Sequence, residues 1–250
     1  MAQRYALFDG IVLRRNALPS GDVIVTLLSE RGKKQAIARK GKLPGGNLGK
    51  LSLFHDVTVQ HYNRTTNEGE LSLITQVQLN GALPRLSEPD IYPYAHVLAE
   101  LTDKLATDVS VEGQLYSYFA SGLRGLAQHP DPERVALIMS WRLLAQAGLA
   151  PRLGRCARCG EADLSGAETF DVAAGGLSCA RCGSGLRLEP SVKDDLTALH
   201  RLSVSEALER PFETRQPHWA LLTRYLEYHV GRVQSLGLLP RTPQAAPGTS

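Results

Sequence analysis

Across residues 1–80, apolar side chains recur at every second position in five short runs. Leu7, Ile11 and Leu13 open the series, followed by Val23, Val25 and Leu27, then Ala36 and Ala38. Leu51, Leu53, Val57 and Val59 come next, and Leu71, Leu73, Val77 and Leu79 close it. Period-two alternation marks strands with one buried face. The runs are broken at Pro19-Ser-Gly21, at Glu30-Arg-Gly32, and over residues 41–50 and 63–69. Five strands in this length, joined by short turns, predict a small closed barrel. Residues 41–50 are too rich in glycine and proline for a helix and read as a mobile basic loop.

Near residues 84–89 the period changes from two to about 3.6. Residues 91–106, 111–128 and 132–147 carry apolar side chains at helical spacing, for example Val97, Leu98, Leu101 and Leu105. Asp131-Pro132-Glu133 supplies a capping acid, a first-turn proline and a second acid, a good helix start. Helical patterning returns at 191–210 and 217–234. The predicted organisation is a barrel over 1–80 and a helical domain in two parts, 81–153 and 190–240. A separate module fills 154–189 inside that domain. The proline- and alanine-rich 241–250 reads as a disordered tail.

That module holds every cysteine of the chain, as Cys156-Ala-Arg-Cys159 and Cys179-Ala-Arg-Cys182. Two such knuckles place four thiolates around one Zn²⁺ and leave no open position, so the ion is expected to be structural. Glycines follow each knuckle (Gly160, Gly183), and Gly175-Gly176 sits where the chain turns back; glycine takes the positive φ such turns need. Two disulfides or a redox Cys-x-x-Cys are the competing readings, disfavoured because nothing points to an oxidising compartment.

The formal charge of +3 conceals a cluster. Arg31, Lys33, Lys34, Arg39, Lys40, Lys42 and Lys50 fall within residues 31–50 with no acid among them. Such a patch is the footprint of a nucleic-acid surface; a charged, solvated loop is the plain alternative. Phe54 and Tyr62 share parity with Thr58 and Gln60 in the fourth run, so alternation would expose them as stacking platforms. A bulge near His55-Asp56 would instead bury one of them.

Several chemistries are absent. Residues 44–51 lack the first glycine and the final Ser/Thr of a phosphate loop. The seven histidines are scattered, and Asp194-Asp195 are neighbours that point different ways on a helix. No catalytic constellation emerges, and no enzyme is expected. The first residues lack a basic and apolar leader, and the longest apolar run has five residues, 135–139. A soluble cytoplasmic protein with no membrane partner is expected.

The order of parts, together with several stretches, resembles the RecO family of bacterial repair proteins. The stretches are 6–15, 22–32, 36–41, 94–101, and above all 141–156 with Phe170-Asp-Val-Ala-Ala-Gly-Gly-Leu-Ser-Cys179. The resemblance implies an α+β multidomain chain: an N-terminal OB-fold, an α-helical domain and an inserted four-cysteine zinc ribbon. It implies a recombination mediator that binds single- and double-stranded DNA and anneals complementary strands. The implied partners are RecR, the single-stranded-DNA-binding protein and, indirectly, RecA. Cys156, Cys159, Cys179 and Cys182 match the family's zinc ligands. Arg14, Arg15, Arg31, Lys33, Lys34, Arg39, Lys40, Lys42, Lys50, Phe54 and Tyr62 are the candidate DNA-contacting residues. The rival readings are an RNA-binding barrel-and-ribbon protein and a zinc nuclease or ligase fragment.

Overall fold

The computed structural model describes residues 5–39, 47–62, 71–106, 113–212 and 215–240. The 63–69 turn, Lys40, Lys42 and the 241–250 tail lie outside them. The first five strands are β1 (Tyr5–Ala17), β2 (Val23–Ser29), β3 (Gly32–Ala38), β4 (Asp56–Tyr62) and β5 (Ser72–Gly81). They close in the order β1-β2-β3-β5-β4, with β3 and β5 parallel and the other pairs antiparallel. This is the strand order of an OB-fold. Val12, Val25, Leu27, Ala36, Val57, Val59, Ile74 and Val77 fill the interior.

Two registers differ from simple alternation. On β1, Phe8 and Val12 pack toward the core, leaving Leu7 64% exposed. Ile11 and Leu13 point the other way and are nevertheless buried, on a strand against which a helix packs. On β5, a register shift opposite Gln60/His61 carries the inward positions from Ile74 to Val77, so Leu71 faces out; Leu79, opposite the interior Val57, is nevertheless 41% exposed. Between β3 and β4 the end of the expected loop forms a helical turn, α1 (Asn47–Lys50). The proline and glycines that argue against helix sit just before it, at 44–46. Leu48 and the buried Leu51 pack against the barrel core from this turn.

Helices α2 (Tyr92–Leu105), α3 (Gly113–Gln128) and α4 (Pro132–Gln146) follow. Asp131 caps α4 as its sequence promises, its carboxylate accepting the Arg134 N–H at 3.1 Å. Nine residues of α4 are buried, because α2 and α3 both pack on it; a helix apolar on most sides belongs in a core.

The remaining elements are a sheet of order β7-β6-β8, from β6 (Thr169–Asp171), β7 (Gly176–Ser178) and β8 (Leu186–Arg187), and three helices. These are α5 (Pro190–Arg201), α6 (Val204–Glu209) and α7 (Gln216–His229). The helix expected over 191–210 is two, because Ser203 starts α6 with a complete capping box to Glu206. Asp195 does not serve the first turn of α5; it is buried and accepts from Arg210 Nε at 3.1 Å, with His218 Nε2 at 3.2 Å.

The chain divides into two compact units, Met1–Ala150 and Pro151–Ser250. The helices before and after the ribbon therefore do not form the single domain expected: α2–α4 belong with the barrel, and α5–α7 with the ribbon. No helix among the described residues is long and apolar enough to cross a membrane.

Candidate metal centre and nucleic-acid interface

The two knuckles bring Cys156, Cys159, Cys179 and Cys182 together, with all four sulfurs within 4.8 Å of one another. Cys159 and Cys179 are 3.7 Å apart at sulfur. A tetrahedral four-sulfur site with bonds of about 2.3 Å has edges of about 3.8 Å, whereas a disulfide needs about 2.05 Å. The thiols thus stand at metal-site spacing and are unlinked. Each knuckle turns on a glycine with positive φ, Gly160 at 77° and Gly183 at 51°, and their N–H groups donate to the carbonyls of Cys156 and Cys179.

The protonation chemistry of the cluster is asymmetric. Backbone N–H donors at Cys159 and then Cys179 bring the Cys156 thiol down to about 5. Hydrogen bonding to the Cys159 and Cys179 thiols, then burial, push Cys182 up to about 12. One thiolate is stabilised chiefly by backbone N–H groups, while the last proton is held mainly by the neighbouring sulfurs. Four thiolates this close need a cation among them, and these residues could hold one metal ion. The middle of each knuckle adds an arginine with an acidic partner. Arg158 pairs with the buried Asp171, and Arg181 meets Glu161 at 2.5 Å.

The candidate DNA-contacting residues separate into groups. Arg15 and Arg31 are exposed and Arg39 half-buried, with no carboxylate partner among the described residues. Arg14 and Lys33 instead converge on Asp103 near the end of α2. Arg14 lies 3.3 Å from its carboxylate, and Lys33 Nζ donates to that carboxylate at 3.2 Å and to the Asp103 carbonyl at 2.8 Å. The basic cluster has no acid within residues 31–50, yet Lys33 is neutralised by a carboxylate from outside that stretch, which Arg14 shares. No local pattern could reveal the partner, since it is 70 residues from Lys33.

Lys34 points to the barrel interior, because it pairs with Leu27 and Leu27 with Val12. Its Nζ lies 3.0 Å from Nε2 of the buried His61 and 5.8 Å above the Phe8 ring. Burial pushes its ammonium below the ordinary lysine value. Lys50 donates to the Val77 carbonyl at 3.2 Å. Lys40 and Lys42 lie outside the described residues.

Phe54 is not a stacking platform. It is 6% exposed and meets His96 and Tyr92 of α2 edge-on at 5.7 and 6.1 Å. A left-handed backbone at Phe54 (φ 66°), ahead of β4, resets its direction, next to a register shift between Asp56 and Val57 where a bulge was expected near 55–56. Tyr62 stays half-buried on the outer face beside Tyr5, ring centroids 5.0 Å apart. Tyr5, 52% exposed, is a surface aromatic that the alternation count left out, since the first run was counted from Leu7.

The family model for the N-terminal part of recombination protein O matches residues 1–82, and that for its C-terminal part matches residues 86–236. The chain belongs to the RecO family. A protein named DNA repair protein RecO from Anaeromyxobacter dehalogenans strain 2CP-1 is 33% identical over 246 residues, covering 91% of this chain and 92% of that one. The like-named protein of Exiguobacterium sibiricum is 32% identical, over 69% of this chain and 68% of its own. That of Bacillus subtilis strain 168 is 31% identical, over 70% and 67%. Together the two family matches take in the barrel and the four-cysteine module.

Proposed function

We propose that the chain is a non-enzymatic, cytoplasmic mediator of DNA repair and recombination. It binds single- and double-stranded DNA, anneals complementary strands and, with RecR, assists loading of RecA on DNA coated by the single-stranded-DNA-binding protein. The family match across both halves of the chain carries this reading. The closed barrel with exposed arginines at Arg15 and Arg31 supports it physically.

Annealing requires two like-charged strands to approach. Guanidinium groups on the barrel lower that repulsion by neutralising phosphates, with no bond made or broken. Barrel loops and strand faces suit this task because they track a backbone without needing a sequence. The metal is proposed to be one Zn²⁺ held by Cys156, Cys159, Cys179 and Cys182. Four protein thiolates leave it no site for water or substrate, so its work is to fold the ribbon. The unit carrying that ribbon is left to present surfaces to protein partners.

The test is annealing of complementary oligonucleotides by the full chain in the absence of ATP and Mg²⁺, with a binding assay against purified RecR alongside. Annealing under those conditions together with RecR binding is the expected result. Reproducible ATP hydrolysis or DNA cleavage by the purified protein would overturn the mediator reading. A clear preference for RNA over DNA of the same sequence would favour an RNA-binding role.

A further inference from the structure

Between the outer face of the barrel and α3 the fold leaves a pocket of about 180 Å³. Its place follows from the register. Val57 and Val59 face the interior, so Asp56 and Thr58 face out, with Ile11 opposite Asp56 and Asp9 opposite Thr58. From the other side α3 contributes Tyr116, Ala120, Leu123 and Arg124, which share one helical face. The walls are apolar: Ile11, Phe54, Ala120 and Leu123 are each no more than 6% exposed. Gly81, opposite Asp56, leaves the entrance clear; a Cβ there would meet only the Asp56 Cβ, at 4.0 Å.

The rim is polar and mostly acidic. Asp56 is half-buried, and its carboxylate has no hydrogen bond or ion pair among the described residues. Burial, then the charges of Asp56 and Glu30, hold the Tyr116 phenol above its ordinary value; Arg124 opposes them and Asp9 adds to them. Three carboxylates thus act on this mouth against one guanidinium.

Size and charge together identify the occupant. At about 180 Å³ the pocket is smaller than the roughly 300–1,000 Å³ of a small-molecule site, so it takes a single side chain. Carboxylates repel phosphates, so nucleic acid does not belong here. An apolar shaft that ends in acceptors suits an alkyl stem with a cationic head. Arginine's planar fork of donors can serve the Asp56 carboxylate and the Tyr116 hydroxyl at once, where an ammonium is a point charge.

We infer that this pocket is a socket for one arginine side chain presented by a partner protein, a docking point that takes no part in holding DNA. Buried arginine anchors of this kind carry much of the energy of protein interfaces. The inference does not depend on the DNA-binding reading.

The test titrates the isotope-labelled full chain, followed by NMR, with a blocked Gly-Arg-Gly tripeptide. The same peptide with citrulline or lysine in place of arginine, and spermidine, are the controls. Backbone shifts at residues 54–56, 81–83 and 116–124 are expected with the arginine peptide. Citrulline keeps the shape and loses the charge, so binding should weaken on the order of tenfold, and by a smaller factor with lysine. Asp56→Asn should weaken arginine binding by a factor similar to that of citrulline. Gly81→Val fills the pocket without removing a charge and should abolish binding. An unchanged spectrum away from the pocket verifies that both variants fold.

Equal binding of the citrulline or lysine peptide, arginine binding that survives Gly81→Val in a folded chain, or no shift at these residues would overturn the inference. Spermidine binding as tightly as the arginine peptide would also overturn it and assign the pocket to free polyamines.

Discussion

Asp103 receives both Arg14 and Lys33, and it is the side chain that most changes the reading of the basic cluster. Lys33 is 17% exposed at its side chain and Asp103 11%, so the pair is partly desolvated. Lys33→Ala is expected to cost about 1–2 kcal/mol of stability, seen as a lowered urea midpoint, with little effect on the salt dependence of DNA binding. A flattened salt dependence with unchanged stability would return Lys33 to the DNA surface. At the metal centre the residues were legible from sequence alone, because two Cys-x-x-Cys pairs and their glycines encode the turn locally. Cys179→Ser is expected to reduce bound metal from one ion per chain to a small residue, read by elemental analysis. Unchanged metal content would break the four-thiolate assignment. Phe54 was not legible in the same way: its direction depends on a left-handed residue that no alternation count contains.

Element boundaries followed the periodicities closely, while faces did not always. Period-two runs located all five barrel strands, yet the register shift in β4/β5 and the helix packed on β1 put buried and exposed residues where strict alternation does not. Both effects come from tertiary context. The split between α5 and α6 was written in the sequence as Ser203 and Glu206, a capping box inside an otherwise helical pattern.

On α7 His218 is 1% exposed and packs edge-on against Phe212. Burial lowers its pKa, opposed by its hydrogen bond to Asp195 and by the charges of Asp195 and Glu189. Because the folded state resists protonation more than the unfolded chain, this histidine's contribution is complete above about pH 6.5. It is lost as pH falls from there toward the lowered folded value. Thermal melts of the full chain should thus show a loss of stability below about pH 6.5 that is absent in His218→Gln. The same pH profile in the variant would place that loss elsewhere.

At the scale of the whole molecule the order of parts was legible, but the grouping of the helices was not, because compactness depends on long-range contacts. The ribbon's short strands provide little core of their own, so metal binding should supply much of its folding energy. A strong chelator is expected to raise hydrogen exchange first in residues 154–189 and leave the barrel protected. Simultaneous loss of protection throughout the chain would show that the metal supports both units.

The account turns on the barrel's arginines holding DNA by its phosphates. Binding of oligo(dT) by the full chain, titrated with salt and compared with Arg15→Ala/Arg31→Ala/Arg39→Ala, measures that directly. If each arginine neutralises one phosphate, the slope of log affinity against log salt should flatten by about 2, at roughly 0.7 per contact on single strands. An unchanged slope in a folded triple variant would contradict the account and move the DNA surface off these arginines.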